Sequence, residues 1–206
     1  MKVVLATKNP GKIREFQQLC GETPWLELVP APPEFDPAET GTSFRDNAII
    51  KAQAAALATG MLSAADDSGL EVNALGGRPG VYSSRYSQGD EKLGRDKLLS
   101  ELAGVPAERR QAAYICYMVL ASPGGEILFE SQGIWRGCIG FAESGSNGFG
   151  FDPIFYLPEH AANVADLSSD KKNELSHRAQ AWRAVVAFLE TIERSKTVFS
   201  GEQVER

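Results

Sequence analysis

Ala65-Asp66-Asp67-Ser68-Gly69-Leu70 closes an apolar run (Met61, Leu62, Ala64, Ala65) with two adjacent carboxylates, and apolar alternation resumes at Leu70 and Val72. The pattern predicts a short buried strand that delivers acidic groups to its exposed end, with Gly69 permitting a sharp turn. Neighbouring aspartates repel, so the pair costs stability unless a cation or proton compensates. Hard oxygen ligands of this kind suit Mg²⁺, which keeps several waters and bridges to substrate phosphates. A plain acidic turn explains the same residues, because Asp, Ser and Gly are all good turn formers.

On the N-terminal side, Lys2 to Ala6 reads as a strand that runs into Thr7-Lys8-Asn9-Pro10-Gly11-Lys12. A helix follows, with Ile13, Phe16 and Leu19-Cys20 at helical spacing. A polar loop between a buried strand and a helix N-terminus is a natural phosphate site, and Thr7, Asn9 and Lys12 add hydrogen bonds and charge. The loop lacks the Walker pattern, and an Asn-Pro-Gly turn accounts for it equally. Leu26 to Val29 reads as a second strand, and four prolines between Pro30 and Pro37 make an extended connection. A helix is predicted from Ser43, a good N-cap, to Thr59, closed by Gly60. Its apolar stripe is Phe44, Ala48, Ile49, Ala52 and Leu57. Glu39, just before this helix, is favoured there electrostatically or serves as a metal ligand.

On the C-terminal side, a strand over Leu70 to Asn73 precedes the glycine-rich loop Leu75 to Gly80. A helix over Asp90 to Ala103 uses Leu93, Leu98, Leu99 and Leu102. Ala112 to Ala121 and Glu126 to Ile139 form a hairpin about Pro123-Gly124-Gly125. Gly148-Phe149-Gly150-Phe151-Asp152-Pro153 places two phenylalanines among glycines, which suits a base-stacking platform. Core anchoring is the alternative, and it fits Phe149 better than Phe151. A strand over Pro153 to Leu157 and a short helical turn over Leu167 to Leu175 follow. Ser176 then caps a long helix whose inward face is Ala179, Trp182, Val185, Val186, Leu189 and Ile192. His177 and Arg178 stand in its first turn, where cations are disfavoured unless something electronegative binds.

The 206 residues suffice for one domain with a sizeable core, and 43% hydrophobic with 23% charged residues is ordinary for a globular chain. A net charge of −6 argues against a nucleic-acid surface. No apolar run approaches a membrane span and no signal pattern is present, so a cytoplasmic protein is expected. Cys20, Cys116 and Cys138 are far apart and read as reduced thiols, and with His160 and His177 they lack zinc-ligand spacing. Alternating strands and helices with a central hairpin imply an α/β fold with a mixed sheet.

Six motifs stand in one order: Thr7 to Lys12; Glu39-Thr40-Gly41; Phe44 with Asn47-Ala48 and Lys51-Ala52; Ala65 to Leu70; Gly148 to Pro153; and Ser176-His177-Arg178. Through them the chain closely resembles the inosine-triphosphate pyrophosphatases over about residues 2 to 193. The resemblance implies an elongated two-lobed domain over 1–195, a long mixed sheet, an active site in the cleft between lobes, and a polar tail over 196–206. It also implies a homodimer that hydrolyses ITP, dITP and XTP to the monophosphate and pyrophosphate with Mg²⁺. Carried over, Thr7, Lys8, Asn9, Pro10, Gly11 and Lys12 would hold the triphosphate. Glu39 and Asp67 would coordinate Mg²⁺, with Asp67 as proton acceptor, although Asp66 competes for that role. Ser68, Phe149, Gly150, Phe151, Asp152, Lys172, His177 and Arg178 would contact the substrate, with Lys172 and Arg178 facing the purine 6-position. Ala179 stands where the family commonly has glycine, an expected change to the pocket. An enzyme for pyrimidine or other damaged nucleotides and a nucleotide sensor without turnover remain alternatives.

Overall fold

A computed structural model describes residues 1–87 and 89–201. Seven strands form one mixed sheet: β1 (Lys2–Leu5), β2 (Glu27–Pro30), β3 (Ser63–Val72), β4 (Gln111–Ala121), β5 (Ile127–Ile139), β6 (Phe155–Leu157) and β7 (Ala162–Asn163). The order across the sheet is β2-β1-β3-β4-β5-β6-β7. β1 pairs in parallel with β2 and β3, and every later pairing is antiparallel. The parallel pairs need helical crossovers, which α1 (Pro10–Cys20) and α2 (Phe44–Thr59) supply. The remaining α-helices are α3 (Glu91–Glu101), α4 (Ser169–Leu175) and α5 (His177–Gly201). Residues 202–206 of the predicted tail lie outside the described residues, and α5 carries the chain through to Gly201.

Side-chain alternation along the strands sorts the core into two faces. Val3, Leu5, Ala64, Cys116 and Met118 pack with Phe16 and Leu19 of α1 and with Trp182, Val185 and Leu189 of α5. The Phe16 and Trp182 rings meet edge to face at 5.4 Å. Val4, Ala6, Ala65 and Val119 face the opposite way, onto Ala48, Ala52, Ala55 and Ala56 of α2. Leu57 was predicted inward but is 67% exposed, because the small alanines form the true contact stripe. Leu93 is exposed likewise, and α3 docks through Leu98 instead. A further cluster gathers Leu70, Val72, Leu98, Leu102, Tyr114, Trp135 and Phe155 at the other end of the long strands. Core therefore lies at both ends of the sheet, and the region between them stays open.

The helix starts follow capping chemistry. Ser43 Oγ accepts from Asp46 N at 3.1 Å and Gly60 closes α2 with φ +64°. Ser176 Oγ accepts from Ala179 N at 3.2 Å at the start of α5. One expectation fails here. β3 continues through Gly69 without a turn, so Asp66 and Asp67 stand in mid-strand rather than at a strand end. Gly69 is required for close approach: a Cβ there would stand 2.5 Å from both Gly80 O and Ser83 Oγ.

Candidate active site

Between the two ends of the sheet lies a cleft of about 690 Å³. The loop after β1 forms one wall. Thr7 Oγ1 accepts from Asn9 N at 3.2 Å, and Asn9 Oδ1 caps α1 by accepting from Lys12 N at 3.1 Å. Thr7, Lys8, Asn9 and Lys12 line the cleft, whereas Pro10 and Gly11 do not, contrary to expectation. Gly11 acts one layer back. A Cβ on it would stand 2.7 Å from Phe149 Cδ1, so the missing side chain is what seats that ring.

Mid-strand placement sends the two aspartates to opposite faces of the sheet. Asp66 points toward α1 and α5, fully buried, with Lys12 Nζ at 2.8 Å and Arg178 Nε at 3.7 Å. Burial disfavours its charge, but Lys12 and Arg178 hold it well below the usual carboxylate range. Its Oδ1 has no hydrogen-bond partner among the described residues. Asp67 points toward α2, where Asn47 Nδ2 donates to Oδ2 at 3.2 Å and Lys51 Nζ to Oδ1 at 2.8 Å. Burial pushes its carboxyl above the usual aspartate value, with Lys51 and Lys12 opposing. The expected repulsion is thus relieved by geometry and by a separate lysine for each aspartate. Asp67 lines the cleft and Asp66 does not.

Lys51 Nζ also donates to Glu39 Oε1 at 2.9 Å, so the Glu39 and Asp67 carboxylates converge on one cation-sized point. Among the described residues no group of three or more His, Cys, Asp or Glu could hold a metal. Two carboxylates nevertheless fit a hard cation that takes its other oxygens from phosphate and water. Lys51 already demonstrates that the point favours positive charge. In the sequence Lys51 carries no evident role beyond its place in the third motif. Its spacing from Phe44 and Ala48 on the buried face of α2 was the available signal.

At the opposite wall Lys172, Arg178 and Glu15 form a buried ionic cluster. Lys172 Nζ lies 2.6 Å from Glu15 Oε1 and 2.5 Å from Asp152 Oδ2. Arg178 pairs through Nη1 with Glu15 and donates through Nη2 to Ser68 Oγ at 3.0 Å. Burial disfavours a charged Glu15, yet Arg178 and Lys172 hold its carboxyl below the usual value. Glu15 escaped the sequence reading because it sits beside Phe16 on an otherwise apolar helix face. Asp152 lines the cleft, but its oxygens are taken by Lys172, Phe149 N at 2.9 Å and Tyr114 Oη at 3.1 Å.

The two phenylalanines exchange their expected parts. Phe151 is the core anchor, 7% exposed and edge to face with Tyr86 at 6.2 Å, although it also lines the cleft. Phe149 is half-buried in the cleft, with Lys172 Nζ 4.8 Å and the Arg178 guanidinium 5.7 Å from its ring centre. Glycines on both sides let the backbone turn, with φ +74° at Gly148 and +63° at Gly150. His177 also differs from expectation. It is buried and stacked on Tyr114 at 4.8 Å, and burial with Arg178 and Lys172 nearby keeps it neutral rather than cationic. Its Nδ1 has no hydrogen-bond partner among the described residues. Ala179 is fully buried in the α1–α5 core and is not among the residues that line the cleft.

Cations beside a helix start, two convergent carboxylates and a half-buried aromatic ring meet in one cleft, a combination whose chemistry suits a phosphorylated aromatic ligand. The model of the Ham1 family matches residues 3–188, and the chain belongs to that family. It is 46% identical to a dITP/XTP pyrophosphatase of Nitratidesulfovibrio vulgaris, covering 89% of this chain and 93% of that one. It is 45% identical to a protein of the same name from Shouchella clausii, covering 93% and 96%. Among solved structures, the Staphylococcus aureus Ham1 protein superposes with TM-score 0.81 at 38% identity, covering 93% of this chain and 99% of that one. A HAM1 protein from Coxiella burnetii gives 0.82 at 37%, with the same coverage.

Proposed function

We propose that this protein is a nucleoside-triphosphate pyrophosphatase that hydrolyses deaminated purine nucleotides, dITP, XTP and ITP, to the monophosphate and pyrophosphate. The observation that carries the reading is the meeting of Asp67, Glu39 and Lys51 with the Thr7–Lys12 loop and Phe149 in one cleft. Relatives named for dITP and XTP over nearly the whole chain support the same substrates. The cellular consequence is removal of deaminated purines before they enter DNA or RNA. The active form is a homodimer.

The Thr7–Lys12 loop and the α1 N-terminus bind the phosphates. Phe149 stacks on the base. Glu39 and Asp67 would hold Mg²⁺, which when bound would neutralise charge on the α–β phosphoanhydride. Asp67 orients a water and takes its proton as the oxygen attacks the α-phosphorus. Asp67 is the better placed base of the two aspartates, since it lines the cleft while Asp66 is fully buried and faces away from it. Lys172 spends two of its three donors on Glu15 and Asp152, leaving one for the base edge. Together with Arg178 it offers donors to a 6-oxo purine, and a 6-amino group would face them as donor to donor. A mismatch of this kind discriminates by roughly 10⁴-fold. The test is hydrolysis of dITP against dATP by wild type and Lys172→Ala. The reading expects a preference for dITP that collapses in the variant, and an unchanged preference would remove Lys172 from the specificity site.

A further inference from the structure

We propose that Arg85 grips the terminal phosphates of the substrate and stabilises the departing pyrophosphate. The proposal deepens the triphosphate reading above and rests on it. Among the described residues six cations line the cleft, and four of them are committed to buried or half-buried carboxylates. Lys12 is held by Asp66, Lys51 by Glu39 and Asp67, Lys172 by Glu15 and Asp152, and Arg178 by Glu15. Lys8 is exposed on the loop that already serves the phosphates. Arg85 is the remaining one, and its side chain is 51% exposed.

Arg85 ends the 3₁₀ segment Gly80–Arg85, which is fastened to β3 beside the proposed base. Ser83 Oγ accepts from Leu70 N at 2.9 Å and donates to Gly80 O at 2.6 Å. The absent side chain of Gly69 lets the segment lie against the strand two residues past Asp67. From this mount Arg85 Nη2 reaches to 4.0 Å from Glu39 Oε2, while Lys51 holds Glu39 Oε1 at 2.9 Å. The row Asp67, Lys51, Glu39, Arg85 therefore runs outward from the site of attack. An ion pair at 4.0 Å between partly exposed groups contributes little, so Arg85 exchanges Glu39 for phosphate readily. Guanidinium also matches phosphate in a bidentate manner that no lysine on the wall can copy.

The chemistry calls for such a group. The water oxygen bonds to the α-phosphorus and its proton passes to Asp67. The bond from that phosphorus to the bridging oxygen breaks, and the oxygen leaves on pyrophosphate with an added negative charge. A donor beyond Glu39 meets that charge as it develops.

The experiment compares wild type, Arg85→Gln and Arg85→Lys, first in kcat/KM for dITP. Calorimetric titration with inorganic pyrophosphate and with dIMP supplies the second readout. Arg85→Gln is expected to lower kcat/KM about 100-fold and to weaken pyrophosphate binding at least tenfold. It leaves dIMP binding and the dITP-to-dATP preference intact, and Arg85→Lys recovers part of the loss. Arg85→Gln with wild-type turnover and pyrophosphate affinity overturns the proposal. So does unchanged pyrophosphate affinity with a shifted Mg²⁺ requirement, which would mean that Arg85 only holds Glu39. If wild type itself releases no pyrophosphate from any of the purine triphosphates, the functional reading has failed and Arg85 falls with it. Normal wild-type turnover with an indifferent variant removes Arg85 alone.

Discussion

Gly133→Ala tests how the fold delivers side chains to the cleft. Gly133 lies in the middle of β5, opposite Cys116, where the start of α5 crosses the strand. A Cβ there would stand 2.8 Å from the His177 carbonyl carbon and 3.0 Å from Ala181 N, and nearer still to His177 O. Ordinary contact begins at 3.4 Å, so the carbonyl carbon alone must retreat by 0.6 Å (3.4 less 2.8) and the oxygen by more. Neighbouring bonds resist that retreat, because Ser131 Oγ donates to Ala181 O at 2.9 Å and Ile134 N donates to Gln180 Oε1 at 3.2 Å. Overpacking of this kind costs about 1–3 kcal/mol. The functional cost is larger, since the displaced turn carries His177 and Arg178. A misplacement approaching 1 Å lowers turnover by roughly 10²-fold. Urea denaturation and kcat/KM for dITP measure the two effects on one preparation. Wild-type stability together with wild-type activity would refute the claim that α5 is seated through this glycine.

Phe149→Ala is expected to reduce kcat/KM for dITP with little change in melting temperature, whereas Phe151→Ala should lose about 3–5 kcal/mol of stability because it empties the core. Paired calorimetry and kinetics separate the two rings. Asp67 must be ionised to accept a proton, so activity falls as pH drops through the titration of its carboxyl. Lys51→Gln removes a cation that favours the ionised form, and the acid limb of the pH–rate profile should move upward. Asp66 is shifted the other way. Its stabilisation is present above the unfolded carboxylate value of about 4 and fades as pH falls toward its lower folded value. Asp66→Asn should therefore cost roughly 3–5 kcal/mol at neutral pH, by leaving Lys12 without its carboxylate and Arg178 with Glu15 alone, and should flatten the acid end of the stability curve.

Much of the architecture was legible because local chemistry and tertiary packing agree. Ser43 and Gly60 bracket α2, Ser176 starts α5, and the apolar alternation of β4 and β5 marks their hairpin. Errors arose where a residue serves the tertiary structure instead of its own neighbourhood. Gly69 looks like a turn residue, yet its purpose is the close approach of the Gly80–Arg85 segment. Alanines outline the buried face of α2 too weakly to outweigh Leu57. Phe149 and Phe151 have the same side chain two positions apart, and only the folded backbone shows which one meets the core. The cleft's charges were half visible. Arg178 stood out in its motif and Lys172 came only with the family resemblance, while Glu15 and Lys51, which neutralise or bridge the prominent charges, come from helix faces that read as packing.

The most direct test of the account is pyrophosphate release with Mg²⁺ from dITP, XTP, dATP and dGTP, wild type beside Asp67→Asn. The account predicts rapid release from dITP and XTP, release from dATP lower by about 10⁴-fold, and a variant that folds normally yet loses turnover by 10²-fold or more. Orthophosphate in place of pyrophosphate, equal rates on dATP, or an active Asp67→Asn would contradict it.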